Sequence, residues 1–200
     1  PKIEYNIDNI NFDSIKGNFT MNNDFSYQKN LNESYASLAS TEMNWSNRNI
    51  NKNNGLLFDN KAIFRVVSIS NDYKDQKDKQ NLRLFPQIST KISFPMFKAS
   101  KNSNETLTPI IMPIIAPYNN YTDHKNITNS NLFSTNRASS ITESESGPRI
   151  NYGVEWFSAN KDNFDLKIIA GQSLKFNKES SDAVEELSDL YITSNIILDD

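Results

Sequence analysis

Cysteine is absent from the 200 residues, which excludes disulfides, thiolate metal sites and thiol catalysis. Histidine is nearly absent: His124 stands alone, so a histidine-rich metal site is excluded as well. No single sign of charge dominates. The 21 Lys and Arg and 24 Asp and Glu leave a net charge of -3 with both signs interspersed, and no basic field calls for nucleic acid. Long apolar runs are missing too. Mean hydropathy is -0.64, and nothing approaches the roughly 20 apolar residues of a spanning helix. That excludes a helical membrane protein but not a membrane β-barrel, whose alternating strands keep hydropathy low. Helical periodicity is almost lacking; 182–190 alone predicts one short helical turn. No initiator Met or signal peptide opens the chain, and it stops at Asp200 just after Ile196-Ile197-Leu198, so a fragment of a longer protein is expected.

What the chain does contain is alternation. In Ile150-Asn151-Tyr152-Gly153-Val154-Glu155-Trp156 every even position is large and apolar, and Phe164-Asp165-Leu166-Lys167-Ile168 keeps the same parity. Successive side chains on a strand point to opposite faces, so each segment predicts a strand with one apolar and one polar face. Strands are expected near 2–11, 15–28, 34–47, 56–71, 82–97, 106–117, 149–158, 163–177 and 189–199. Nine consecutive strands with such links form an antiparallel meander. The links near 11–15, 48–55, 98–105 and 158–163 are short, 28–34 is intermediate, and 71–81, 118–148 and 177–189 are longer. Outer-membrane barrels sort their loops this way, with tight periplasmic turns and long external loops. The three longer links are therefore expected outside the cell, although 118–148 could instead fold into the lumen. Pro109, Pro113 and Pro117 share one parity, so their missing N–H groups fall on one side. A strand with one complete and one weakened seam is expected there.

Several segments carry a family signature. Arg83-Leu84-Phe85-Pro86-Gln87 is followed by Thr106-Leu107-Thr108-Pro109 and Ile114-Ile115-Ala116-Pro117. Asn131-Leu132-Phe133-Ser134-Thr135-Asn136-Arg137 then precedes Gly147-Pro148-Arg149-Ile150-Asn151-Tyr152-Gly153, Gly171-Gln172-Ser173 and Ser188-Asp189. In this order the motifs resemble the C-terminal barrel domain of the LPS-assembly protein family, LptD, also called organic solvent tolerance protein. The resemblance is clear over 82–194; residues 1–81 match in character only. The chain departs from the family pattern at Arg137-Ala138-Ser139-Ser140-Ile141-Thr142-Glu143, which lacks the family's aromatic, Gly and Asp-Arg pair. The departure bears on the fine structure of the long loop. The resemblance implies a large barrel that receives lipopolysaccharide from an LptA-like periplasmic bridge protein and inserts it in the outer leaflet. It also implies an LptE-like lipoprotein plug in the lumen, and a lateral seam between first and last strands that lies outside this stretch.

His124 lies in the polar run Tyr121-Thr122-Asp123-His124-Lys125-Asn126 and is read as a solvated loop residue. The rival reading is a hydrolase, for which a catalytic His needs a positioned Ser and an orienting partner. Glu143, Glu145, Glu179, Glu185 and Glu186 could bind a divalent cation near lipid phosphates, but no ligand spacing supports it and solvated charge is preferred. Arg83, Lys91 and Lys167 occupy polar parity, as a lumen-facing charge should. Arg65 is ambiguous, since Ile63, Val67 and Ile69 share its parity. Trp45, Trp156, Tyr118, Tyr152 and Tyr191 are candidates for interfacial aromatic girdles.

The expected fold is all-β, an antiparallel meander forming a section of a large transmembrane β-barrel, with 1–200 inside one barrel domain. The expected place is the bacterial outer membrane and the expected ligand lipopolysaccharide. No catalytic, cofactor or metal residue is assigned, and no enzyme activity is expected. The rivals are another outer-membrane barrel, such as a porin or receptor, and a soluble carbohydrate-binding β-sandwich or β-helix.

Overall fold

Strict alternation leaves an isolated strand with one face that water cannot solvate well, so strands must share that face across a sheet. The computed structural model describes residues 1–12, 15–29, 35–73, 76–120, 128, 131–160, 164–177 and 184–198. It contains β1 (Lys2–Phe12), β2 (Ile15–Lys29), β3 (Tyr35–Ile50), β4 (Leu57–Tyr73), β5 (Gln76–Ser93), β6 (Met96–Ala99), β7 (Ser103–Ile115), β8 (Arg149–Asn160), β9 (Phe164–Asn177), β10 (Val184–Leu187) and β11 (Tyr191–Leu198). All pairings are antiparallel, in the order β1-β2-β3-β4-β5-β7-β8-β9-β10.

The remaining two strands are continuations. β6 lies beside β7 on the edge that β5 occupies further along, and β11 lies beside β9 on the edge shared with β10. The eleven strands therefore fill the nine positions that alternation implied, two of them interrupted. One interruption falls at Phe94-Pro95, where the proline ends the β5 ladder. Among the described residues β1 makes no contact with β9, β10 or β11, so the sheet is open.

Two expectations are corrected and one ambiguity is resolved. Residues 71–81 are not a long loop: β4 runs to Tyr73, β5 starts at Gln76, and Tyr73 pairs with Gln76. Polar residues hid this extension, because ladder hydrogen bonds need no apolar side chain. The helical turn expected over 182–190 is also absent from its described part, where Val184–Leu187 pairs with β9. Finally, Arg65 faces the polar side, in register with Glu42.

The register divides the side chains cleanly. Phe64, Ala62 and Val66 of β4 share a face with Met43 and Trp45 of β3 and with Leu84, Pro86 and Ile88 of β5. That face continues through Ile111 and Ile115 to Tyr152, Val154 and Trp156, and on to Ile168 and Ile192. It is strongly exposed: Leu82 by 66%, Ile88 by 57% and Ile115 by 68%. Among the described residues no second sheet covers it, which argues against the sandwich, whose apolar faces would pack inward. An uncovered apolar surface of this extent needs lipid, detergent or a partner. Charged Glu42, Arg65, Arg83, Lys91, Glu155 and Lys167 all lie on the other face.

The 200-residue chain alone is expected to aggregate in detergent-free buffer and to stay dispersed in detergent micelles, by light scattering. A monodisperse species with a cooperative melt in plain buffer would contradict the two-solvent reading of the faces.

Candidate functional site

The buried core of this sheet lies on its polar face, under a single loop. Residues 131–148, which lead into β8, lie back across β5, β7, β8 and β9. Beneath them sit Ile63, Val67, Phe85, Ile110, Met112 and Ile114, none more than 8% exposed. Burying each such side chain stabilises the assembly by about 1.5–3 kcal/mol. This cover explains β4 and β7, whose two parities are both apolar: one row meets the surrounding phase and the other meets the loop.

The seat of the loop is a pair of glycines. Gly153 and Gly171 are cross-strand partners on β8 and β9. A Cβ on Gly171 would stand 2.5 Å from the Tyr152 carbonyl oxygen and 2.8 Å from Leu132 Cδ2, and one on Gly153 would stand 2.2 Å from the Ala170 carbonyl oxygen. The bare backbone leaves a hollow that Leu132 fills completely, at 0% exposure. At the loop's exit Gly147 takes φ +80°, and its missing side chain leaves room for the Tyr118 ring. Tyr118 in turn donates to the Phe176 carbonyl at 2.9 Å.

Polar bonds lock what the leucine seats. The Glu145 carboxylate lies between two guanidiniums: Arg137 donates through Nε at 2.7 Å and also through Nη2, and Arg149 approaches at 3.1 Å. The Arg149 side chain is 0% exposed and Arg137 only 4%. Arg149 also donates to the Thr135 carbonyl, and Arg137 to Ser173 Oγ at 3.3 Å. Ser173 passes its own proton to Asn151 at 2.7 Å, and its backbone N–H donates to Ser188 Oγ at 2.9 Å. From β5, Arg83 donates to the Thr142 carbonyl at 2.8 Å, Gln87 to Ser144 Oγ at 2.8 Å and to the Glu145 carbonyl at 3.2 Å, and Ser89 shares a hydrogen bond with Thr135 Oγ1 at 2.7 Å. From β4, Arg65 pairs with Glu42 and donates to the Glu143 carbonyl at 3.2 Å. The family signatures spread over 83–189 thus converge on one docked loop.

Burial alone would raise the Glu145 carboxyl. The Arg137 hydrogen bond and the charges of Arg149 and Arg137 outweigh it, and the group is held below the usual glutamate range. Two cations on one carboxylate leave the triad with a net positive charge, partly offset by the Thr135 carbonyl.

Glu145 is therefore neither solvated loop charge nor a cation ligand, and Glu143 contributes its backbone carbonyl. Among the described residues no cluster of His, Asp or Glu could hold a metal ion. Glu186 is exposed; His124, Glu179 and the Glu185 side chain lie outside the described residues. Lys91 pairs with Asp59 at 3.5 Å and Lys167 with Glu155 at 3.1 Å, both on the polar face. Trp45, Trp156 and Tyr152 stand on the apolar face, whereas Tyr191, opposite Gly171, faces the other way. The sequence reading missed Leu132, Arg137, Thr135 and Glu145 as a docking unit. The one available signal was the placement of Arg137, Glu145 and Arg149 within thirteen residues of chain.

Removing one member of a buried ion cluster strands the others, at about 3–5 kcal/mol. Glu145→Gln is expected to undock the loop, read as new protease cleavage within 131–148 of the detergent-solubilised protein. The sign of the pH effect follows from the depressed carboxyl. Docking holds at and above the ordinary glutamate pKa of about 4.3, then weakens as pH falls from there through the lowered value. A melting temperature recorded between neutral pH and about pH 3 is expected to fall in that lower window, and Glu145→Gln to flatten the fall. Gly171→Ala is expected to expel Leu132 and lower the heat needed to unfold the barrel on a denaturing gel; an unchanged transition would refute the glycine seat.

No curated protein matches the chain. A family model does, over residues 1–198, and its description is LptD, LPS transport system D. The match covers nearly the whole sequence, including the first 81 residues that carried no motif. With its all-antiparallel meander and its polar face closed by the motif-bearing loop, the chain belongs to the LPS transport system D family.

Proposed function

We propose that residues 1–200 form part of the C-terminal barrel domain of an outer-membrane protein that inserts lipopolysaccharide into the outer leaflet. The observation that carries this reading is the division of one continuous sheet between two environments. One face is apolar and exposed from β1 to β11; the other holds the strand-borne ion pairs found among the described residues and the docked loop. Such a sheet suits a wall between hydrocarbon and a hydrated lumen. The family match supplies the cargo, since the family is one of lipopolysaccharide transport.

The polar face keeps open space beside the loop. A cavity of about 810 Å³ lies between Phe133–Ala138 and strands β2 to β5. Arg48, Lys61, Arg65 and Lys91 line it with Glu42 and Asp59, so cations outnumber carboxylates. A hydrated, net cationic space suits the phosphorylated saccharide end of the lipid, while the acyl chains stay with the apolar phase. The loop reaches as far as β2 and β3, whereas the polar side chains Lys2, Glu4 and Asn6 of β1 stay exposed, a surface fit for an LptE-like plug. An LptA-like bridge would deliver the lipid from the periplasmic side.

Depleting the parent protein in its host, followed by assay of surface lipopolysaccharide, tests the reading. Loss of surface lipopolysaccharide with accumulation inside the cell is the expected result. Normal surface lipopolysaccharide with altered solute uptake would keep the wall and move the function to a porin or receptor.

A further inference from the structure

One joint in the wall is built unlike the others. β7 pairs with β8 at twelve consecutive positions, from Ser103↔Asn160 to Ile114↔Arg149. On its other edge it pairs at eight, in two broken runs: four with β6, and four with β5 at Ile88↔Ile115, Ser89↔Ile114, Ile92↔Ile111 and Ser93↔Ile110. The register is the same on both sides of the gap, so Thr90 and Lys91 lie opposite Pro113 and Met112 without completing the ladder. The cause is chemical. Phe94 donates to the Pro109 carbonyl at 3.2 Å, which shows that Pro109 aims its backbone groups at β5. Pro113 shares that parity and stands opposite Thr90, so it too lacks the N–H this seam needs. Two prolines, Pro109 and Pro113, thus remove donors from this one seam.

The docked loop spans the same seam. The hydroxyls of Thr135 and of Ser89 on β5 share a hydrogen bond of 2.7 Å, and the Thr135 carbonyl accepts from Arg149 of β8. Glu145 takes Gln87 of β5 on its carbonyl at 3.2 Å and Arg149 of β8 on its carboxylate at 3.1 Å. Two residues therefore each tie β5 to β8. The strand between them shows the loop only Ile110, Met112 and Ile114, which offer no polar bond.

We propose that the β5–β7 seam is an openable joint in the barrel wall and that the 131–148 loop is its latch. With Thr135 and Glu145 seated, the seam is held shut by side chains in place of the missing backbone bonds. When the loop undocks, this seam parts before any other, opening the wall away from the ends of the sheet. The inference rests on strand pairing and loop geometry, and it stands apart from the identity of the transported lipid.

Hydrogen exchange by mass spectrometry on the whole parent protein in lipid nanodiscs tests it. In Glu145→Gln, amides in 88–93 and 110–115 are expected to exchange about tenfold faster or more, while those in β3 and β4 keep their rate. Pro113→Ala, on the exposed apolar face, restores a donor opposite Thr90. It is expected to slow exchange in the seam and, combined with Glu145→Gln, to reverse most of that variant's gain. Seam amides that exchange no faster than β3 and β4 in Glu145→Gln would overturn the proposal, as would equal acceleration in every strand. Should Glu145→Gln fail to assemble, Pro113→Ala alone decides: unchanged seam exchange overturns the latch, and slowed exchange supports it.

Discussion

A carboxylate held between two guanidiniums, out of water, is the interaction on which the docked arrangement depends. Ions in such a place are costly, and their mutual attraction offsets that cost only if geometry and hydrogen bonding are complete. Glu145 has both carboxylate oxygens engaged, by Arg137 on its own loop and Arg149 at the start of β8. Arg137 Nη1 and Arg149 Nε and Nη1 are nonetheless buried without a partner among the described residues. Because Arg149 opens β8, the pair fixes the loop against a strand that cannot shift without losing its ladder. The apolar cover over Val67, Phe85 and Ile114 then follows from where the ions hold the loop.

The strand plan was legible because it answers to one physical rule, the two-residue period of a sheet that separates unlike surroundings. Parity placed Arg83, Lys91 and Lys167 on the polar face and predicted the weak side of the proline strand, and the ladders agree. Where surroundings are uniform the rule goes silent. Asn71–Tyr73 and Gln76–Gln80 show no apolar alternation in the sequence, and they read as loop. Val184–Leu187 failed for a related reason: a four-residue strand is too short to show its period.

The site was legible only through resemblance. The motifs marked which residues matter, but a period of two says nothing about a loop. Glu145 read as solvated charge because its neighbours in sequence, Ser144, Ser146 and Gly147, are those of an ordinary exposed turn. Its burial comes from β5 and β8, strands that flank it in space. Arg65 was ambiguous for the same reason, since Ile63 and Val67 beside it are apolar on account of a loop some seventy residues later.

The loop's partners also set an order of assembly. It joins β7 to β8, yet its seat includes Gly171 and Ser173 of β9, and Ser188 beyond β9 completes the Ser173 bonds. A sheet that runs from β1 to β8 offers the loop its bonds to β5 and Arg149, but not the hollow for Leu132 or the Ser173 hydroxyl that Arg137 reaches. Only the arrival of β9 supplies the hollow for Leu132. Such long-range closure is slow because chain entropy is lost before the contacts form. The seat of the loop is thus completed only by a strand that follows it in sequence.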